Sequence, residues 1–138
     1  MTPDQKALVK SSWEQVKPIS EQAAALFYGR LFEVYPEVKP MFKSDMTEQG
    51  RKLMAMINTA VNALDNLDPM LGAIRQMGAR HVGYGVRDAD YDKVADALLW
   101  TLEQGLQDKF TPEVKAAWTE VYGALSGVMK EGASLAVA

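Results

Sequence analysis

Met77-Gly78-Ala79-Arg80-His81-Val82-Gly83-Tyr84-Gly85-Val86 holds the only histidine of a 138-residue chain. The stretch reads as the end of a helix. Leu71, Ile74 and Met77 recur at helical spacing, Asp68-Pro69 opens the segment, and Gly83 and Gly85 close it. Met77 lies four residues before His81 and shares its helix face. A backbone carbonyl one turn back can accept one ring N–H of the imidazole and fix its tautomer. Taken alone, a helical histidine is more often a surface or satisfied core residue than a metal ligand.

The same punctuation runs outward in both directions. Thr2, Pro3 and Gln5 form an N-cap, a first-turn proline and a capping-box partner. Leu8, Val9, Trp13 and Val16 follow at helical spacing until Pro18. A second helix carries Ala24, Phe27, Tyr28, Leu31, Phe32 and Tyr35, and Pro36 interrupts it. A short helical turn through Val38, Met41 and Phe42 comes next. Asp45 and Glu48 open a longer helix whose apolar stripe is Leu53, Met56, Ile57, Ala60, Val61 and Leu64. Beyond the quoted stretch, Asp88 or Asp90 opens a helix with Val94, Leu98, Leu102 and Leu106. Thr111-Pro112 opens the last, with Val114, Trp118, Val121, Tyr122, Leu125 and Met129. No strand alternation competes, so the spacing predicts an all-α fold of about seven unequal helices in one domain, residues 1–138.

Composition narrows the chemistry. The net charge of −3 and the scattering of 15 basic residues argue against nucleic acid, whose phosphates are held by clustered Lys and Arg. No apolar run approaches the roughly 18 residues that span a bilayer, and the polar start lacks the apolar stretch of a signal peptide, so no membrane partner and a cytoplasmic location are expected. The absence of cysteine removes disulfides, thiolate zinc sites, iron–sulfur clusters and thiol nucleophiles. Asp88, Asp90 and Asp92 imitate the start of a calcium loop, but Lys93 and Leu99 occupy its glycine and twelfth positions, so they read as helix-capping and surface charges. Gly83-Tyr84-Gly85 fails the dinucleotide fingerprint at Asp88, and Gly78…Gly83 fails as a P-loop at Tyr84. No GxSxG occurs.

With its neighbours, the His81 stretch resembles the proximal-histidine segment of globins, especially neuroglobins and bacterial single-domain globins. Phe27-Tyr28-Gly29-Arg30-Leu31-Phe32 is similar to their second helix. Pro40-Met41-Phe42 is similar to the segment with the haem-stacking phenylalanine, and Arg51-Lys52-Leu53-Met54 to the distal helix. Phe110-Thr111-Pro112, Ala116-Ala117-Trp118 and Tyr122-Gly123-Ala124 match the last helix of neuroglobins. The motifs keep their order over nearly the whole chain, and Gln49 and His81 keep the neuroglobin separation.

The resemblance implies a globin fold around a noncovalent haem b, there being no CxxCH for attachment. It places His81 on the iron, Met77 at the haem edge and Phe42 flat on the porphyrin. Tyr28, Gln49 and Leu53 are expected to converge above the iron, with Tyr28 and Gln49 as donors to bound O2. That pairing is closer to flavohaemoglobins and Vitreoscilla-type globins than to neuroglobins. Val86, Tyr91, Val94 and Tyr122 match proximal and rear haem contacts. Lys52 and Arg80 are either propionate partners or solvated surface charges. Trp13 and Trp118 read as interhelical packing.

The implied function is high-affinity O2 binding for storage, delivery or scavenging, with CO and NO as further ligands. The alternative is nitric oxide dioxygenation with an external reductase, since no reductase domain accompanies the haem-binding segment. Tyr91 matches the tyrosine that flavohaemoglobins set beside the proximal histidine. Their accompanying glutamate falls in register on Ala133, with Glu131 two residues early, which weakens the expectation of a strongly donating imidazole.

Overall fold

The computed structural model describes residues 2–42, 45–83 and 85–137, with no side-chain account beyond residue 134. Among them are six α-helices: α1 (Pro3–Val16), α2 (Ser20–Val34), α3 (Met46–Asn62), α4 (Leu71–Gly83), α5 (Asp88–Leu106) and α6 (Pro112–Val137). The expected short helix before α3 is a 3-10 turn, Pro36–Met41. Pro36 and Pro40 lack the N–H groups that α-helical bonding needs, so among the described residues the expected fold of about seven helices takes the form of six α-helices joined by short 3-10 turns. Tyr84 lies outside the described residues.

The caps follow the sequence. Gln5 N–H donates to Thr2 Oγ1 at 3.1 Å and Thr2 N–H to Gln5 Oε1 at 3.0 Å. Asp45 accepts from Thr47 N–H at 3.0 Å, and Thr111 Oγ1 from Val114 N–H at 3.2 Å. These bonds satisfy first-turn donors that have no partner within the helix.

The core joins α1, α2, α5 and α6 through Val9, Trp13, Leu31, Leu102 and Val121. Trp13 and Trp118 meet edge to face at 6.2 Å, as expected for packing residues. Their indole N–H groups donate to Asn58 Oδ1 and Ser12 Oγ, so neither is buried without a partner. Two crossings place the remaining helices. A Cβ on Gly50 of α3 would lie 2.9 Å from Ala24 Cβ of α2, so those helices touch nearly backbone to backbone. α4 runs antiparallel along α6, while α3 rests on α2 and α1. No helix among the described residues is long and apolar enough to cross a membrane.

Candidate functional site

α4 sets His81. The His81 ring Nδ1 donates to the Met77 carbonyl at 2.6 Å, which makes Nε2 the nitrogen with the lone pair in the neutral ring. Burial lowers the His81 pKa from its ordinary 6.5, and Arg80 adds to this, against the opposing pull of the Met77 bond. The ring is therefore neutral near pH 7, the form that ligates metals. Gly78 and Ile74 are the buried face of α4, whereas Met77 and His81 form an adjacent half-buried stripe. After His81 the chain turns: Val86 N–H returns to the His81 carbonyl at 3.1 Å, with Gly85 at φ +89° in the left-handed region that glycine adopts freely.

α3 shows the same division. Gly50, Met54 and Val61 are buried, while Gln49, Leu53 and Ile57, spaced by four, are half-buried on a neighbouring stripe. The apolar stripe read from sequence is corrected here. Met56 points outward and Met54 inward, because the Gly50–Ala24 crossing sets the rotation of α3. Gln49 makes no side-chain hydrogen bond among the described residues, and Lys52 is exposed and forms no ion pair among them. Arg80 on α4 is likewise exposed without an ion pair among them.

Tyr28 and Phe42 meet at 5.3 Å, edge to face, and Phe32, read from the sequence as a second-helix residue but not as a site residue, completes the group at 5.9 Å from Tyr28 and 5.3 Å from Phe42. Burial raises the Tyr28 pKa to about 12, so its hydroxyl keeps its proton and can donate. Tyr28 borders a cleft of about 740 Å³ between α1, α2 and α3, with Trp13, Ala24, Phe32, Gly50 and Met54 among its walls; Gln49 and Leu53 are not among them. The structure thus joins Tyr28 to Phe42 and His81 to Met77, and among the described residues no hydrogen bond links Tyr28 to Gln49.

On α5, Tyr91 is buried and Val94 half-buried. Tyr122 of α6 donates its hydroxyl to the Tyr91 carbonyl at 2.8 Å. The Tyr91 hydroxyl is the buried side-chain polar atom left without a partner among the described residues. Glu131 is paired with Arg75 at 2.8 Å on the surface.

These features fit a flat, apolar, iron-bearing group. Phe42, Leu53, Met77, Val86 and Val94 are apolar and half-buried, the chemistry that the faces of such a group need. His81 supplies one neutral nitrogen ligand, and Tyr91 an unsatisfied donor. Ile57, four residues beyond Leu53, belongs with this set by spacing alone.

The sequence pattern of the globin family matches residues 25–129. The chain belongs to the globin family. This globin is 32% identical over 133 residues to an anaerobic nitrite reductase, NSHB5, of Oryza sativa subsp. indica, covering 92% of each chain. It is 26% identical to the neuroglobin of Chaenocephalus aceratus, covering 92% of this chain and 89% of that one. An engineered carbene transferase, described as a nitric oxide dioxygenase from Rhodothermus marinus, has a similar structure. The TM-score is 0.90 at 25% identity, over 99% of this globin and 96% of that chain. Membership implies haem and diatomic ligands.

Proposed function

We propose that residues 1–138 act as one haem-binding domain in the cytoplasm, holding haem b noncovalently and binding O2 reversibly, with CO and NO as further ligands. The observation that carries this reading is His81 itself, neutral and oriented by the Met77 carbonyl on a half-buried stripe. Bound haem would supply an iron atom with an open position for a diatomic ligand. His81 Nε2 would hold that iron. Met77, Leu53, Val86, Val94 and Phe42 would exclude water from the haem faces, and Tyr91 and Tyr122 would close the rear. Tyr28 and Gln49 would donate hydrogen bonds to the ligand. Lys52 and Arg80, both exposed, suit propionates at the rim. Bis-histidine ligation within one chain is impossible with one histidine.

The test is haem titration of the wild type and His81→Ala. One haem per chain with a mainly five-coordinate ferrous spectrum is expected, lost in His81→Ala and restored by added imidazole. An unchanged spectrum in the variant would overturn the ligand assignment.

A second reading, nitric oxide dioxygenation with a separate reductase, is favoured by the likeness to the Rhodothermus marinus protein. Both readings use the same residues. The O2 release rate, measured with the nitrate yield from NO in the presence of a reductase, separates them.

A further inference from the structure

α4 meets α6 without side chains between them at two reciprocal points. A Cβ on Gly78 would lie 1.9 Å from the Met129 carbonyl oxygen and 2.5 Å from its carbon. A Cβ on Gly132 would lie 2.0 Å from the Arg75 carbonyl oxygen. Real Cβ atoms essentially never approach closer than 3.0 Å, and what they would meet here is backbone, which yields only if a helix moves. The other glycines of these helices behave differently: Gly72, Gly83, Gly123 and Gly127 face open space. Close Cα–H to carbonyl approaches of this kind are mildly attractive. The Arg75–Glu131 ion pair flanks them at 2.8 Å, and buried Ile74 adjoins them.

His81 sits three residues beyond Gly78 on the same helix, about 4.5 Å along its axis. We propose that the Gly78–Gly132 seam is a positioning device, in which direct backbone contact with α6 sets the depth at which α4 presents His81 to the haem. The proposal rests on His81 being the iron ligand. One added methyl pushes α4 off α6 by about an ångström, beyond the roughly 0.5 Å within which a working site must be held. Gly78 and Gly132 need touch neither haem nor ligand to act; they work through the helix.

The test compares Gly78→Ala and Gly132→Ala with Gly72→Ala and Gly127→Ala, one control on each helix. Haem stoichiometry, the iron–histidine stretching band of the ferrous protein and the CO association rate are measured. The seam variants are expected to shift the band and change the rate about two- to thirtyfold, with the controls matching wild type. Seam variants that bind haem with the wild-type band and rate overturn the proposal. Hydrogen exchange on the haem-loaded wild type gives a second arm that needs no variant to fold. Amides around Gly78 protected like those of α6 support the seam, and exchange at the rate of an unstructured chain overturns it. Failure of the His81 assignment has its own signature, a ferrous spectrum that survives His81→Ala, and leaves the exchange result unaffected.

Discussion

At the scale of single residues, the most sensitive test is Tyr28. Its ring is held by Phe27, Phe32 and Phe42, and its hydroxyl has no hydrogen-bond partner among the described residues. A hydrogen bond to a charged acceptor contributes about 1.5–3 kcal/mol, so Tyr28→Phe should speed O2 release about ten- to a hundredfold. CO release should change much less, its outer atom carrying less negative charge. Stopped-flow rates within about twofold of wild type, small against one such bond, would mean that the hydroxyl serves the cleft between α1, α2 and α3 instead. His81 predicts a pH dependence. Its folded pKa lies below 6.5, so the unfolded chain takes up the proton first. The stability gained from a neutral His81 is complete above 6.5 and is lost as pH falls through the folded pKa. Urea midpoints of the haem-free protein should therefore drop just below pH 6.5, and this component should vanish in His81→Gln. A midpoint drop of the same size in both proteins would assign the acid sensitivity to other groups.

At the scale of elements, the α5 N-terminus shows how a local signal acquires a long-range role. Asp90 was legible as a cap: its carboxylate accepts from Arg87 N–H at 2.9 Å. Its burial was not legible, at 3% exposure, nor was its neighbour Lys93, which bonds Asp90 at 2.9 Å and reaches Glu37 at 3.7 Å on the turn leading to Phe42. Burial alone would raise the Asp90 pKa, but the Arg87 N–H and Lys93 outweigh it, and the net shift is downward from 3.8. Asp90→Asn keeps an acceptor for Arg87 and loses the ionic bond, so a loss of about 1–3 kcal/mol in unfolding free energy at pH 7 is expected. The wild type's advantage should be present above pH 3.8 and disappear as pH falls through the folded pKa. Equal denaturant midpoints at pH 7 would show that the network adds nothing to stability.

For the molecule as a whole, the expected behaviour toward NO follows from the His81 surroundings. Glu131 is tied to Arg75, and no dinucleotide fingerprint occurs in the chain. Purified protein given NADH alone should complete one cycle of NO consumption and then slow, whereas an added reductase should sustain it. Sustained turnover with NADH alone would contradict this. The all-α class, the caps at Thr2, Asp45 and Thr111, and His81 as the one imidazole in the chain were legible in the sequence, because each depends on neighbours a turn or less away or on residue counting. Tertiary structure alone decided that α3 buries Gly50 and Met54 and turns Met56 outward, that Glu131 pairs with Arg75, and that Tyr91 buries an unsatisfied hydroxyl. It also decided that Gly78 and Gly132 bring two backbones into contact. Those outcomes depend on helices distant in the chain meeting at particular rotations and depths, and helical periodicity records which residues share a face but not which of two adjacent faces meets a partner.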